Sequence, residues 1–105
     1  AALGWDEVSH SIAFQSRFGP LPWIQPYLDE HILELVGKRV KRLAVITPSF
    51  VSDCLETIHE IGIEYRDQFK AAGGETFLLL PNLNDDQDWF DSVFEIAHKH
   101  LVSRD

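Results

Sequence analysis

The chain has 105 residues, 45% of them apolar and 11% aromatic, which suits one folded domain with a single core and is small for a complete metabolic enzyme. Nine basic against seventeen acidic residues give a net charge of −8, which argues against nonspecific binding to nucleic acid or anionic lipid but not against attraction of a cation. No apolar run is long enough to cross a membrane, Ala1–Asp6 lacks the basic segment of a signal peptide, and the single cysteine, Cys54, excludes an internal disulfide and suits a reducing compartment.

Residues 1–10 read as the tail of a preceding helix. Ser11-Ile12-Ala13-Phe14-Gln15-Ser16 is short and mostly alternating, which predicts a first strand. Gly19, Pro20 and Pro22 then make an extended loop carrying Leu21, Trp23 and Ile24, an apolar trio that suits either core or the lip of a site for a flat apolar ligand. From Tyr27 to Val36 the residues Leu28, Ile32, Leu35 and Val36 recur at spacings of three and four, predicting an amphipathic helix with Asp29 and Glu30 in its first turn, His31 on its solvent side and Gly37 at its end. Lys38, Arg39, Lys41 and Arg42 form a basic cluster, read as a solvated strand entry or as a contact for acidic groups of a partner domain.

Leu43–Thr47 predicts a second strand, buried on both faces. The helix after it runs to about Ala71, with Leu55, Ile58, Tyr65 and Phe69 as its buried side and Gly73-Gly74 as its stop. Thr76–Leu80 is a third buried strand ended by Pro81. Asn84 and Asp85 or Asp86 cap a last helix, Asp88–Val102, with Trp89, Val93, Ile96, Ala97 and Leu101 on one face. This alternation predicts an α/β domain with a parallel sheet and right-handed crossovers. The glycine pattern of a dinucleotide site and the Gly-x-Ser-x-Gly elbow of a hydrolase are both absent from the sequence.

The middle helix starts at the carboxyl end of a strand, where ligands bind in open α/β sheets. It carries Glu56, Glu60 and Glu64 at intervals of four. In an ordinary α-helix a step of four turns only about 40° around the axis, so all three lie on one face. Like charges at that spacing repel, and a row of carboxylates suits hard cations or protons. Gly62 interrupts the helix, and a local widening there would straighten the row. The plainer alternative is that Asp53 and Glu56 form a capping box while Glu60 and Glu64 face solvent.

The run Ser52-Asp53-Cys54-Leu55-Glu56-Thr57, followed by Glu60, Ile63-Glu64-Tyr65 and Ala72-Gly73-Gly74, resembles the C-terminal signature of the ferrochelatases. Phe14-Gln15-Ser16-Arg17-Phe18-Gly19-Pro20-Leu21-Pro22-Trp23 is similar to that family's segment at the porphyrin mouth, and Pro81-Asn82-Leu83-Asn84-Asp85 matches in position and type, with cysteine common in bacterial members where Asn82 stands. The resemblance runs from about Ile12 to Leu101. It implies a three-layer domain with a parallel sheet of three to four strands, residues 1–105 forming one domain that is the C-terminal half of a longer enzyme. That enzyme inserts ferrous iron into protoporphyrin IX to make protoheme, releasing two protons, with iron as substrate and no cofactor required.

Carried over residue by residue, the resemblance implies Glu56 as the catalytic glutamate at the porphyrin face and Glu60 and Glu64 as outer members of a metal or proton path. It implies Trp23 and Leu21 as porphyrin-slot residues with Gln15 and Arg17 nearby, and Asp53 beside the active site. The position of Cys54 is histidine in animal members. The family's essential histidine lies in a Ser-Phe-His-Gly motif that this sequence lacks, and of its five histidines only His59 lies beside the row. The chain alone is therefore expected to be inactive without the missing N-terminal domain, its partner. The implied location is the bacterial cytoplasm, with peripheral attachment to the membrane left open. Two alternatives remain: a half-size metal chelatase that pairs with itself, and a non-catalytic porphyrin- or partner-binding domain.

Overall fold

A computed structural model describes residue 4, residues 10–15 and residues 19–103. Its centre is a pair of short strands, β1 (Arg42–Val45) and β2 (Thr76–Leu79), which run parallel with Arg42 opposite Thr76 and Val45 opposite Leu79. Parallel strands need a long crossover. Here it is one helical rod made of a π-helix (Glu56–Tyr65) and an α-helical end, α2 (Arg66–Ala71). Helix α1 (Leu28–Gly37) precedes β1 and α3 (Gln87–Val102) follows β2. The α/β class and the parallel pairing are as the sequence predicts.

The sheet is smaller and barer than expected. Among the described residues it has two strands, not three or four. The segment read as the first strand is held elsewhere: the Phe14 N–H donates to the Pro26 carbonyl (2.9 Å) and the Leu28 N–H donates to the Phe14 carbonyl (2.8 Å), so it bridges to Tyr27 at the start of α1. The first of these strands is expected to be buried on both faces and the second to be buried, but only one face of the pair is covered. Leu43, Val45, Phe77 and Leu79 are half-buried, whereas Ala44, Ile46 and Leu78 on the opposite side of the pleat are exposed. Among the described residues the helices that pack on the sheet cover one side of it.

The π-helix changes which residues of the rod are buried. Leu55 and Ile58, expected on the inner side, are 74% and 56% exposed, while Thr57, Ile61 and Phe69 are buried and Tyr65 half-buried. These four stand at intervals of four. With i→i+5 bonding each turn is wider, so a step of four comes closer to a full turn and keeps such residues in line. Gly62 allows the rod to lie close on β2, because a Cβ there would meet Leu79 Cδ2 and the Thr57 carbonyl, each at 3.3 Å. Gly74 serves the other end: a Cβ at that position would overlap the Phe69 ring, and the Gly74 N–H closes the rod on the Phe69 carbonyl at 2.9 Å.

Helix α3 begins at Asp86, whose carboxylate accepts from the Trp89 N–H at 3.1 Å. Its apolar stripe exists, but none of its residues is buried, and Phe94 and Leu101 are 71% and 73% exposed. The radius of gyration, 17.4 Å, exceeds the roughly 13 Å of a compact domain of this length. Among the described residues no helix is long and apolar enough to cross a membrane.

Candidate active site

The start of the rod is tied to the carboxyl ends of both strands by side chains. The Asp53 carboxylate accepts from Asn84 Nδ2 (2.8 Å), Asn82 Nδ2 (2.9 Å) and the Thr57 hydroxyl (3.1 Å). The Asp53 N–H donates to Asn84 Oδ1 (2.7 Å), and the Thr47 hydroxyl just past β1 donates to Asn82 Oδ1 (2.8 Å). The Asn84 bond, helped by Thr57 and Asn82 and opposed by partial burial, holds the Asp53 carboxyl below its ordinary range. A capping box between Asp53 and Glu56 is not formed, since the Asp53 N–H is taken by Asn84 and the helix start has no side-chain cap. Asn84, expected to cap α3, instead adopts a left-handed backbone (φ 49°) and turns back to Asp53.

The three glutamates follow on successive turns beside the buried line, each one residue before Thr57, Ile61 or Tyr65. They sit in different surroundings. Glu56 is exposed, and hydrogen bonding with Cys54 and with its own backbone lowers its proton affinity. Glu60 is half-buried and accepts a hydrogen bond from the Tyr65 hydroxyl at 2.9 Å. Glu64 is exposed and lies 3.4 Å from His59 Nδ1. Both pairs, Glu60 with Tyr65 and His59 with Glu64, are five residues apart, the spacing that a π-helix brings together. Among the described residues no three His, Cys, Asp or Glu side chains converge on one point that would hold a metal ion, so the carboxylates are arranged in series rather than as a cage.

Two concavities adjoin the rod, and of the three glutamates only Glu60 lines either; Glu56 and Glu64 line neither. One, of about 340 Å³, is lined mainly by apolar groups from α1, β1 and the Pro48–Phe50 turn, with Trp23 and Gln15 at its edge. The other, of about 270 Å³, is lined by Gln15, Tyr27, Asp29, Glu60 and Tyr65. Phe14, Gln15 and Leu28 border both. Gln15 Nε2 also donates to the Glu56 carbonyl at 2.7 Å, fastening the loop to the first turn of the rod. Trp23 and Gln15 are thus brought to one cavity and Gln15 and Glu60 to its neighbour. Leu21 is exposed and lines neither, and Arg17 lies outside the described residues. His31, read as a solvent-side residue, is only 13% exposed: it lines the larger cavity and bonds the Ser11 hydroxyl at 2.8 Å.

Sequence reasoning missed Tyr65 and the asparagines as site residues. Tyr65 was assigned to packing, and a signal existed in its five-residue distance from Glu60, meaningful once Gly62 is taken as a widened turn. The contact of Asn84 with Asp53 spans 31 residues and leaves no local trace.

Fold and site together define an α/β domain in which a carboxylate-bearing π-helix leaves the carboxyl end of a parallel strand beside an apolar cavity. The chain belongs to the ferrochelatase family, whose model matches residues 1–101. It is 46% identical over 92 residues to a ferrochelatase of Legionella pneumophila (strain Corby), an overlap of 88% of this chain and 28% of that protein. It is 53% identical over 97 residues to one from Pseudomonas syringae pv. syringae (strain B728a), covering 92% and 28%, and 43% identical over 99 residues to one from Coxiella burnetii (strain Dugway 5J108-111), covering 94% and 28%. The chain spans 28% of the length of these curated relatives.

Proposed function

We propose that this chain is the C-terminal part of a bacterial cytoplasmic ferrochelatase that inserts ferrous iron into protoporphyrin IX, with Glu56 as the base at the porphyrin face and Glu60 and Glu64 as the outer path. Each turnover binds one divalent ion and releases the two pyrrole protons. The chemistry needs an apolar slot for the macrocycle, a base to collect protons, and oxygen ligands that loosen the water around iron. The observation that supports the reading is the π-helical winding that carries Glu56, Glu60 and Glu64 on successive turns, with Glu60 lining a cleft that shares Phe14, Gln15 and Leu28 with the cavity containing Trp23.

On this reading Glu56 in the open site is ionised, and its proton affinity rises when a bound macrocycle displaces water from it. Glu60 and Glu64 hold the ion loosely and in turn. Trp23 and Leu21 form the lip, with Gln15 and Arg17 beside it, and Asp53 holds the first turn of the rod near the reacting centre. The opposite wall, with the family's histidine motif, belongs to the N-terminal domain. The uncovered sheet face and the bare stripe of α3 fit a domain that packs against more protein.

The test is iron insertion by the chain with and without the N-terminal part of the enzyme. We expect no turnover from the chain alone and restored turnover on complementation; turnover by the chain alone would favour a self-pairing chelatase, and porphyrin binding without turnover in either case a non-catalytic binder. In the full-length enzyme Glu56→Gln is expected to lower kcat by at least about 100-fold with the melting temperature unchanged. A variant that melts lower and keeps its rate would return Glu56 to a purely structural role.

A further inference from the structure

We propose that Tyr65 is a positioning residue for Glu60: its hydroxyl fixes one carboxylate oxygen and turns the other toward the polar cleft beside Gln15. This rests on the reading of the glutamate row as an ion path. The Tyr65 hydroxyl donates to Glu60 Oε1 at 2.9 Å, and both side chains are half-buried and line the same 270 Å³ cleft. The pairing exists because the rod is wound as a π-helix between Glu56 and Tyr65. In an ordinary α-helix a separation of five residues points two side chains about 140° apart.

The hydroxyl is a dependable donor. Burial, then the bonded and nearby Glu60 carboxylate, then Asp29 and Glu64, push the Tyr65 pKa up, so the phenol keeps its proton across the working range. A carboxylate on a rod has several rotamers, and an ion moving between carboxylates needs each in a defined one. A bond from a half-buried phenol selects one without adding charge, so it orients Glu60 and leaves the row's net attraction for a cation intact.

The experiment is steady-state kinetics of the full-length enzyme with ferrous iron and porphyrin varied separately, for Tyr65→Phe, Glu60→Gln and the double variant. Tyr65→Phe keeps the ring and its packing. It is expected to raise the KM for iron about threefold to tenfold, the loss of roughly one ordinary hydrogen bond, while the KM for porphyrin stays within twofold. In the Glu60→Gln background the same change is expected to add nothing, because the group it orients is gone. Two results overturn the proposal: a KM for iron within twofold of wild type in Tyr65→Phe where Glu60→Gln raises it, or effects of the two substitutions that multiply in the double variant. If Glu60→Gln itself leaves iron kinetics unchanged, the ion-path reading fails first and this proposal with it.

Discussion

The crossover rod and the last helix carry the same kind of amphipathic pattern and meet opposite fates. The rod buries Thr57, Ile61 and Phe69, whereas α3, with Trp89, Val93, Ile96, Ala97 and Leu101 at helical spacing, buries none of its residues. Periodicity does not separate them; connectivity does. The rod joins two adjacent parallel strands, so the chain must return across the sheet, and it lays Gly62 against Leu79 and Phe69 against Phe77. Helix α3 leaves the sheet after β2, and among the described residues no strand follows it. An apolar stripe says that a face requires cover, and what supplies the cover is a property of the rest of the protein.

Four substitutions or conditions test that contrast. The largest effect is expected from Phe69→Ala, which removes a fully buried ring that packs against Phe77 with centroids 5.8 Å apart. Urea unfolding should show a loss of about 3–5 kcal/mol; a loss under about 1 kcal/mol would mean that the rod is not the core element described above. Next is Thr57→Val, which keeps the volume of a buried side chain and deletes a hydroxyl bonded to the Cys54 N–H and to Asp53. We expect about 1–3 kcal/mol by the same method, with the asparagine clamp loosened and the rod kept.

The third is pH. The folded pKa of Asp53 lies below the ordinary 3.8, so its contribution to stability is fully present above that value and is lost as pH falls through the folded one. The wild-type urea midpoint should therefore fall on acidification below about pH 4, and Asp53→Asn should flatten that part of the curve; an unchanged slope would detach Asp53 from the clamp. The smallest effect is expected on α3. Phe94→Ser should change the stability of this chain by no more than about 0.5 kcal/mol while reducing binding of an apolar dye, and should cost more in the full-length enzyme. An equal cost in both would mean that α3 is covered within this chain.

Part of the candidate site could be read from the letters: Trp23, Gln15 and Glu60 line the two concavities, whereas Leu21, Glu56 and Glu64 do not. Spacing and strand-to-helix context singled out Glu56, Glu60 and Glu64 as a row, the family resemblance supplied their proposed roles, and Gly62 marked the helix as interrupted. The inner face of that helix was read correctly at Tyr65 and Phe69 but not at Leu55 and Ile58, because these two are ordered by an α-helical period and the chain there follows a wider one. His31 was misread for another reason: a polar residue on an amphipathic helix reads as solvent-facing, yet the Ser11–Gln15 segment folds over it and supplies a hydroxyl partner.

The strand–helix–strand order from β1 to β2, the parallel pairing that such an order implies and the series of carboxylates were determined by the sequence alone, since each follows from the periodicity of single elements and their order along the chain. The phase of the rod, the clamp joining Thr47, Asp53, Asn82 and Asn84, and the exposure of one sheet face and of α3 were decided by the tertiary structure. They depend on which distant segments come to lie opposite one another, and a residue's own neighbours in sequence carry no record of that.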